Sequence, residues 1–467
     1  MCANVNTADA INNTMAESVP TRVSYLLWFA QEHVNFRAAD VESVASIFGI
    51  KINYKTQISE YPYCIVDLPS EEEAKLLASR CISVKSILEL WGHGKTVEEL
   101  HENVKKLPET LTSPYFGADK TFRLVVETFC KSISQKEKVE RIESFGYLPI
   151  EGDVNLKNPD VVYYLLEYFG QDSNNIPEKP YELFFGRRVA DGQRALITKL
   201  SLKTRHFLGN TSMDAQLSLL MANQAKIVPG SLVYDPFVGS GSLLVSAAQF
   251  GGYVCGADLD FLMIHGKTRP VRPNQKVREK GESIKSNMRQ YNLSSRYLDV
   301  LVADFARPLW RPDVRFDAIL TDPPYGVRES TAKVGSWRGA DIKPILEKHL
   351  PHHIPAKVDY DIQELMRDLL DFSANYLCMG GRLVFWLPIC REEYDEEKSL
   401  PKHECLKLVS NCEQVLSCHS SRLLLCMEKV EEPLIKEKTP PAQLTSTTKF
   451  RDRYFSGRPL NNVDLTE

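Results

Sequence analysis

Apolar and polar positions follow two periodicities, that of strands and that of helices, in the first two hundred residues. Alternating or β-branched apolar runs predict strands at 22–30, 121–129, 161–169, 181–187 and 195–202, and two strands around a turn within 51–68. Apolar residues at helical spacing predict helices at 37–48, from 70 onward and at 136–145. The pattern therefore predicts two α+β units in succession, the first with a ferredoxin-like rhythm.

From residue 205 onward, predicted strands and helices alternate with the spacing that is typical of a parallel sheet. A helix is predicted at 213–225, and strands at 232–235, 253–258, 298–303, 316–321 and 382–387. The last two strands, 406–415 and 421–429, are joined by a short link, which predicts an antiparallel hairpin at the sheet edge. The predicted fold class is α/β, a Rossmann-like domain preceded by an α+β region.

These patterns divide the chain into five parts. We expect a disordered tail at 1–20, α+β units at 21–110 and 111–204, the α/β domain at 205–430, and a flexible tail at 431–467 rich in Pro, Thr and Lys. The 467 residues are 43% hydrophobic, as in ordinary globular proteins, and no apolar run is long enough to cross a bilayer. The N-terminus lacks the basic and apolar regions of a signal peptide.

Cysteine content and net charge bear on the cellular compartment and on how the protein could bind nucleic acid. The eleven cysteines contain no pair separated by two residues, which favours reduced, mostly buried thiols and a cytoplasmic protein. The net charge of −4 argues against binding nucleic acid by bulk charge alone. A nucleic-acid substrate would require a local concentration of basic residues or the help of a partner.

A glycine-containing turn follows the predicted strand that ends at Asp235. Pro236 and Phe237 begin this turn, and Gly239 and Gly241 allow the backbone to pass close to a ligand. The turn lacks the third glycine of a dinucleotide site and the lysine of a P-loop. A carboxylate at this place repels phosphate but tolerates the cationic sulfonium and ammonium of S-adenosyl-L-methionine, so the sequence favours that methyl donor.

Acidic residues also end the next two predicted strands. Asp258 is placed to accept both ribose hydroxyl protons. Asp304 is placed to accept from an adenine amino group, and Phe305 to cover the ring. Any one of these acids alone could instead cap a helix, but three at successive strand ends favour a cofactor site.

A rigid turn with two prolines follows the fourth predicted strand of this domain. It consists of Asp322, Pro323, Pro324 and Tyr325. The Asp322 carboxylate and the Pro323 carbonyl offer two acceptors at fixed spacing, and Tyr325 offers a flat face for a base. Two acceptors that hold the hydrogens of an exocyclic amine direct its lone pair at a methyl carbon. The turn therefore predicts methylation of an amino nitrogen, with neither a metal nor a covalent nucleophile.

With these motifs, and with the segment 205–214, the chain resembles the catalytic subunits of eukaryotic tRNA (guanine-10) N2-methyltransferases, which are THUMP-containing class I methyltransferases. The resemblance covers about residues 23–429. It implies that Thr211 and Ser212 border the methionine end of the cofactor. Asp214 is a further candidate for that end and serves equally well as a helix cap.

The resemblance also implies functions for the remaining parts. Residues 21 to about 200 would form a ferredoxin-like unit and a THUMP domain that grips the acceptor end of tRNA. It further implies a heterodimer with a small zinc-binding methyltransferase activator subunit, which covers an exposed part of the catalytic sheet.

Two further features allow more than one interpretation. The stretch 267–289 carries eight Lys or Arg against two Glu, and either faces RNA or is a solvated charge run. A cluster of potential zinc ligands lacks the close ligand pair of a zinc site; its members are His403, Cys405, Cys412, Cys418 and His419.

Three alternative functions remain open at this point. A protein glutamine methyltransferase uses a similar turn on an amide nitrogen, but the large N-terminal region argues against it. A non-catalytic tRNA-binding scaffold is disfavoured by the intact acidic residues. An RNA methyltransferase acting on adenine or on another guanine fits the motif as well, because Asp322 contacts only the amine.

Overall fold

Two seven-stranded sheets form the framework of the protein. The computed structural model describes residues 23–307, 309–326, 330–335, 355–395 and 399–433. The tail predicted at 1–20 lies outside these residues, as does the tail predicted at 431–467 except for its first three residues.

The N-terminal half forms one continuous sheet in the order β2-β3-β1-β4-β7-β6-β5. Its elements are β1 (Val23–Phe29), α1 (Arg37–Phe48), β2 (Asn53–Tyr54), β3 (Tyr63–Leu68), α2 (Glu71–Ala78), β4 (Val84–Gly94), α3 (Val97–Lys105), α4 (Glu109–Thr112), β5 (Phe122–Phe129), α5 (Gln135–Glu143), β6 (Val161–Tyr168), β7 (Glu182–Asp191) and α6 (Ala195–Lys199). Strand β4, which the sequence pattern did not reveal, pairs antiparallel with both β1 and β7. It thereby joins the strands of the two predicted α+β units into one sheet.

Local sequence explains where these helices begin and end. The Ser70 hydroxyl accepts from the backbone N–H of Glu73 at the start of α2, and Gly49 ends α1 with a φ of 67°. The strand predicted at 195–202 is wrong, because α6 occupies this stretch. Its β-branched residues suggest a strand, but the preceding strand β7 already pairs on both sides, with β4 and β6, and offers no open edge.

The C-terminal half contains the second sheet. Its elements are α7 (Ala215–Gln224), β8 (Leu232–Asp235), α8 (Ser242–Gln249), β9 (Tyr253–Asp258), α9 (Phe261–Ile264), α10 (Ile284–Gln290), β10 (Tyr297–Val302), β11 (Phe316–Thr321), β12 (Ala332–Val334), β13 (Lys357–Asp359), α11 (Ile362–Tyr376), β14 (Leu377–Cys390), β15 (Leu406–Val415) and β16 (Ser420–Lys429). All seven strands predicted here are confirmed. The hairpin β12–β13 and helix α11 were not predicted.

The strand order of this sheet places a crevice at its centre. The order is β10-β9-β8-β11-β14-β16-β15, with β16 antiparallel to both of its neighbours. The chain starts at the central strand β8, builds outward to β10, and then returns to β11 on the other side. Ligands of open α/β sheets bind where the order reverses, outside the carboxyl ends of the strands. The predicted Rossmann-like α/β domain is thus confirmed.

Buried polar side chains connect the two halves. The Asn223 side-chain amide on α7 donates to the Asp40 carboxylate over 2.7 Å, and its oxygen accepts from Arg80 over 2.8 Å. Asp40 also accepts from the backbone N–H groups of Ile82 and Ser83. Because Asp40 and Asn223 are both 0% exposed, this network holds the halves in one relative orientation.

Two predictions from composition concern the described residues only. No helix among them is both long and apolar enough to cross a bilayer. The cysteines from Cys64 to Cys426 are free thiols, and seven of these ten are buried, as predicted.

Candidate active site

A cavity of about 580 Å³ opens at the carboxyl ends of β8, β9, β10 and β11. Nearly all of the predicted site residues line it, namely Thr211, Ser212, Asp235, Pro236, Phe237, Gly239, Asp258, Asp304, Phe305, Asp322, Pro323, Pro324 and Tyr325. Gly241 lies outside the lining and caps the start of α8. Its φ of 77° and the nearby Ile284 side chain, which a Cβ would approach to 2.7 Å, explain why a glycine stands there.

Asp235 lies at the bottom of the cavity and is 1% exposed. Its carboxylate accepts from the backbone N–H of Phe237 over 3.0 Å and from the Thr321 hydroxyl over 2.9 Å. Burial raises the pKa of Asp235 to about 8, and the negative charges of Asp258 and Asp322 oppose its ionisation further. A cationic ligand in the cavity would therefore stabilise the ionised carboxylate.

The glycine turn and the second acid support each other. Gly239 has a φ of 48°, and its N–H donates to the Asp258 carboxylate over 2.8 Å. The other Asp258 oxygen accepts from the backbone N–H of Asp260 over 2.9 Å. These two bonds hold the carboxylate in a fixed position at the end of β9, on the cavity wall.

Asp304 lies on the cavity wall but already has backbone partners. One oxygen accepts from the N–H of Ala306, and the other accepts from the N–H of Val334 over 2.8 Å. Asp304 therefore fastens the hairpin β12–β13 over the cavity, a contact that sequence patterns could not reveal. Phe305 packs 4.9 Å from the Phe237 ring and forms the adjacent apolar wall.

The segment before α7 forms the wall nearest the glycine turn. The Ser212 hydroxyl accepts from the Gly209 N–H and lies 2.6 Å from the Ser240 hydroxyl. Asp214 lines the cavity, and its carboxylate also caps α7 by accepting from the N–H groups of Gln216 and Leu217. Both interpretations of Asp214 are therefore compatible with its position.

Asp322 faces a cation that the sequence pattern did not single out. An Asp322 oxygen lies 3.4 Å from the guanidinium of Arg422 on β16, and both side chains are largely buried. The guanidinium also stacks 4.0 Å from the Trp386 ring and donates to the Gln414 side chain over 2.7 Å. Arg422 lies 100 residues from Asp322, so only the sheet order brings them together.

The charge of the cavity distinguishes between possible ligands. Among the described residues, its lining contains six aspartates but only two cationic side chains, Lys357 and Arg422. A polyphosphate would be repelled by this lining, whereas the two cationic groups of S-adenosyl-L-methionine would be attracted. The volume also lies in the usual range for small-molecule sites. The residues present therefore fit the predicted methyl donor.

The two histidines of the possible zinc cluster, His403 and His419, have partners away from the cavity. Within the described residues, no group of three or more His, Cys, Asp or Glu is arranged to hold a metal ion. His403 accepts from the backbone N–H of Cys405 and lies 3.4 Å from Asp371, while His419 lies 2.8 Å from Glu392.

Comparisons with known proteins show which family the chain belongs to. A family model described as the Tmrp11 THUMP N-terminal domain matches residues 23–194, and one described as the RMKL-like methyltransferase domain matches residues 203–337. The chain is 47% identical over 442 residues to tRNA (guanine(10)-N(2))-methyltransferase TRMT11 of Gallus gallus, covering 93% of this chain and 95% of the relative.

More distant relatives carry the same name. The identity to TRMT11 of Homo sapiens is 46% over 445 residues, covering 93% of this chain and 95% of the relative. The identity to tRNA (guanine(10)-N(2))-methyltransferase of Saccharomyces cerevisiae is 35% over 447 residues, covering 92% and 99%. The chain therefore belongs to the tRNA (guanine(10)-N(2))-methyltransferase family.

Proposed function

We propose that this protein is a catalytic subunit that transfers a methyl group from S-adenosyl-L-methionine to the exocyclic N2 of guanosine 10 in tRNA. One observation carries the proposal: the turn Asp322–Tyr325 shares a single cavity with the buried Asp235 and with Asp258 on the cavity wall. The names of relatives that match more than nine tenths of the chain specify the base and its position.

Three groups bind and orient the methyl donor, which supplies an electrophilic methyl group on a sulfonium. Asp235 provides a negative charge for its sulfonium. Asp258, held by the N–H of Gly239, accepts hydrogen bonds from ribose hydroxyls. Phe305 and Phe237 provide an apolar wall for the adenine and exclude water from that side. Because Asp304 already holds Val334, it contributes chiefly by closing the cavity with the hairpin.

The turn after β11 positions the substrate. The Asp322 carboxylate and the Pro323 carbonyl accept hydrogen bonds from the two hydrogens of the amino group, and Tyr325 stacks on the base. As the new N–C bond forms, the nitrogen becomes cationic, and one proton passes along its hydrogen bond to the Asp322 carboxylate and then to solvent. Orientation of this kind lowers the barrier by several kcal/mol, up to about 7–11 in well-aligned cases.

Arg422 is a positioning residue for Asp322. Its guanidinium is held between the Trp386 ring and the Gln414 side chain, so it presents a fixed cation to one Asp322 oxygen. A fixed cation on one side of the carboxylate limits its rotation. Asp322 is thereby available as an acceptor in one orientation.

The decisive experiment measures methyl transfer from labelled donor to unmodified tRNA transcripts, with and without the activator subunit, followed by nucleoside analysis. Label in N2-methylguanosine at position 10 is expected, and Asp322→Ala should abolish it while the donor still binds. Asp313→Ala, an exposed aspartate before β11, is the control.

Other outcomes would assign a different function. Label in another nucleoside would keep the enzyme class and overturn the target. Donor binding without labelled RNA, in the presence of the activator, would favour a protein glutamine substrate. Loss of donor binding as well would favour the non-catalytic scaffold.

We also propose that the small zinc-binding activator docks on edge strand β10, forming a heterodimer in the cytoplasm. Among the described strands β10 pairs only with β9, and Leu298 is 53% and Val302 43% exposed. An open strand with exposed apolar side chains suits the addition of a partner strand. The other edge strand, β15, has N-terminal neighbours, since Asn35 donates to the Glu413 carbonyl.

Paired substitutions on the two edge strands test this docking site. Leu298→Asp should prevent co-purification of the activator, and Leu408→Asp on β15, where the leucine is 38% exposed, should leave it intact. Retention of the activator by Leu298→Asp would refute the β10 site without affecting the proposed reaction.

A further inference from the structure

The loop between α9 and α10, residues 265–283, carries six Lys or Arg that fall into two classes. We call this segment the basic loop. Arg272 and Arg278 are partly buried, whereas Lys267, Arg269, Lys276 and Lys280 are exposed. The two classes have different functions.

The partly buried arginines anchor the loop. The Arg278 guanidinium donates to the backbone carbonyls of Thr268 and Leu208 over 2.6 and 2.8 Å and pairs with Glu282 over 3.0 Å. Arg272 donates to the backbone carbonyl of Arg205. The loop is therefore fastened to the segment that leads into the cavity wall, and its backbone is held in place.

The four exposed cations have no carboxylate counter-ion among the described residues. None of them lies within 4 Å of a described carboxylate oxygen, although exposed lysines elsewhere, such as Lys75 and Lys106, form ion pairs. Glu282 is neutralised by Arg278, so Glu279 is the one remaining acid of the loop. The loop therefore presents a net positive surface on a chain whose net charge is −4.

This surface lies beside the mouth of the cavity. Leu259 and Asp260 line the cavity, and the loop begins one short helix later. Between them Phe261 is 46% exposed and stacks on His265 at 4.0 Å. A polyanion that enters this strongly acidic cavity needs cations at the rim, because the cavity alone would repel its phosphates.

We propose that the basic loop binds the phosphodiester backbone of the RNA next to the target nucleotide, through Lys267, Arg269, Lys276 and Lys280. This inference rests on the proposed function for the identity of the polyanion. Contacts to phosphates position an RNA without reading its sequence, so the loop orients the substrate while the turn at Asp322 performs recognition of the amine.

The experiment compares the wild-type complex with its activator and three variants of it. The test variant replaces all four cations by Ala. Its matched control replaces Arg311, Arg315, Lys402 and Lys407 by Ala, which removes the same charge near the opposite ends of the strands. A third variant, Lys267→Arg with Lys276→Arg and Lys280→Arg, keeps the charge. For each form, tRNA affinity is measured across about 50–200 mM salt, together with binding of S-adenosylhomocysteine and methyl transfer.

The test variant should bind tRNA at least about tenfold more weakly at low salt, with the slope of log Kd against log salt reduced by about 0.7–0.9 for each lost contact. Its binding of S-adenosylhomocysteine should be unchanged, which shows that the domain is folded. The control and the Arg variant should keep the wild-type slope.

Each other outcome is informative. If the wild type methylates tRNA but the test variant keeps its affinity and slope, the loop proposal is wrong and the proposed function stands. If the slope depends on the loop but no tRNA is methylated, the loop proposal stands and the function is wrong. Loss of the activator at unchanged tRNA affinity would identify the loop as a protein-binding surface instead, and failure of the wild type to bind tRNA would overturn both proposals.

Discussion

Three aspartates determine the chemistry of the cavity, and a different type of donor holds each carboxylate. Asp235 is held by one backbone and one hydroxyl donor, Asp258 by backbone donors of the glycine turn, and Asp322 by the Arg422 cation. Buried carboxylates that lack a cation ionise less readily. Asp235, which has no cation beside it among the described residues, therefore suits a cationic donor, whereas Asp322 already faces Arg422 and can accept from a neutral amine.

The importance of Arg422 is testable by comparing substitutions. Arg422→Gln should lower kcat by up to about 100-fold, because displacing a reacting group by about 1 Å can cost that much, while KM for the donor changes little. Arg422→Lys should restore part of kcat by restoring the charge. Steady-state kinetics measures kcat and KM for these variants. The control is Arg391→Gln, because Arg391 is a more exposed arginine that pairs with Glu413. A change in KM alone would contradict the positioning role.

The raised pKa of Asp235 predicts a pH-dependent preference for charged donor. Below pH 8 the carboxylate of the empty protein is largely protonated, so a sulfonium must displace its proton. The affinity for S-adenosylmethionine relative to uncharged-sulfur S-adenosylhomocysteine should therefore rise with pH, by at most about tenfold per unit, and level off above about pH 8. Calorimetry at several pH values measures the ratio of the two affinities. In Asp235→Asn this ratio should not change with pH. A ratio that is also constant in the wild type would refute the role of Asp235.

At the scale of elements, strand ends and helix starts build the site together. The cavity is bounded by the carboxyl ends of four parallel strands and by the first turns of α7 and α8. The hairpin β12–β13 adds a wall through the bond between Asp304 and Val334. Catalytic groups on strand ends are held by the ladder of the sheet, so their spacing varies little.

Helix α7 depends on its cap. Asp214→Ala should lower the free energy of unfolding by about 1 kcal/mol, since two backbone N–H groups lose their acceptor. Asp214→Ser should retain most of this stability and, if Asp214 acts only as a cap, the donor affinity as well. Urea unfolding measures the change, and Asp361→Ala, which uncaps α11, provides a comparable control. Weaker donor binding by the Ser variant would assign Asp214 to the cofactor site.

At the scale of the whole molecule, polar and aromatic contacts make the two halves one unit. Besides the Asp40–Asn223 network, the Phe36 ring of the N-terminal half packs 6.0 Å from Trp386. The same Trp386 ring also packs against the Arg422 guanidinium. The N-terminal half therefore abuts the residues that position Asp322, which ties its orientation to the active site.

Breaking the interface network should loosen this unit. Asn223→Ala leaves the buried Asp40 carboxylate without one donor and should lower the free energy of unfolding by about 1–3 kcal/mol. Urea unfolding should also become less cooperative, as the halves separate before they unfold. Ser43→Ala, which removes a single 3.3 Å bond to Arg382 at the same interface, should have a small effect. Equal stability of wild type and Asn223→Ala would refute the network's importance.

Hydrophobic periodicity and local motifs by themselves determined the fold class, the strands of the catalytic sheet and the acids at their ends. These features are local, because a strand followed by an acid or by two prolines is written in consecutive residues. The strand predicted at 195–202 is wrong for the same reason, since its β-branched residues are local whereas the pairing of β7 on both sides is not. Strand β4, lying between the two predicted units, was missed for want of a clear pattern.

Only the tertiary structure decided which distant residues meet. Arg422 reaches Asp322 because β16 inserts beside β14, and Asp40 reaches Asn223 because α1 packs on α7. The sequence did not show whether the basic stretch 267–289 faces RNA or solvent. The structure separates its arginines that anchor the loop from its exposed cations, because it shows the partners of each side chain. Long-range pairing depends on the order of strands and the packing of layers, and neither leaves a periodic signal in the chain.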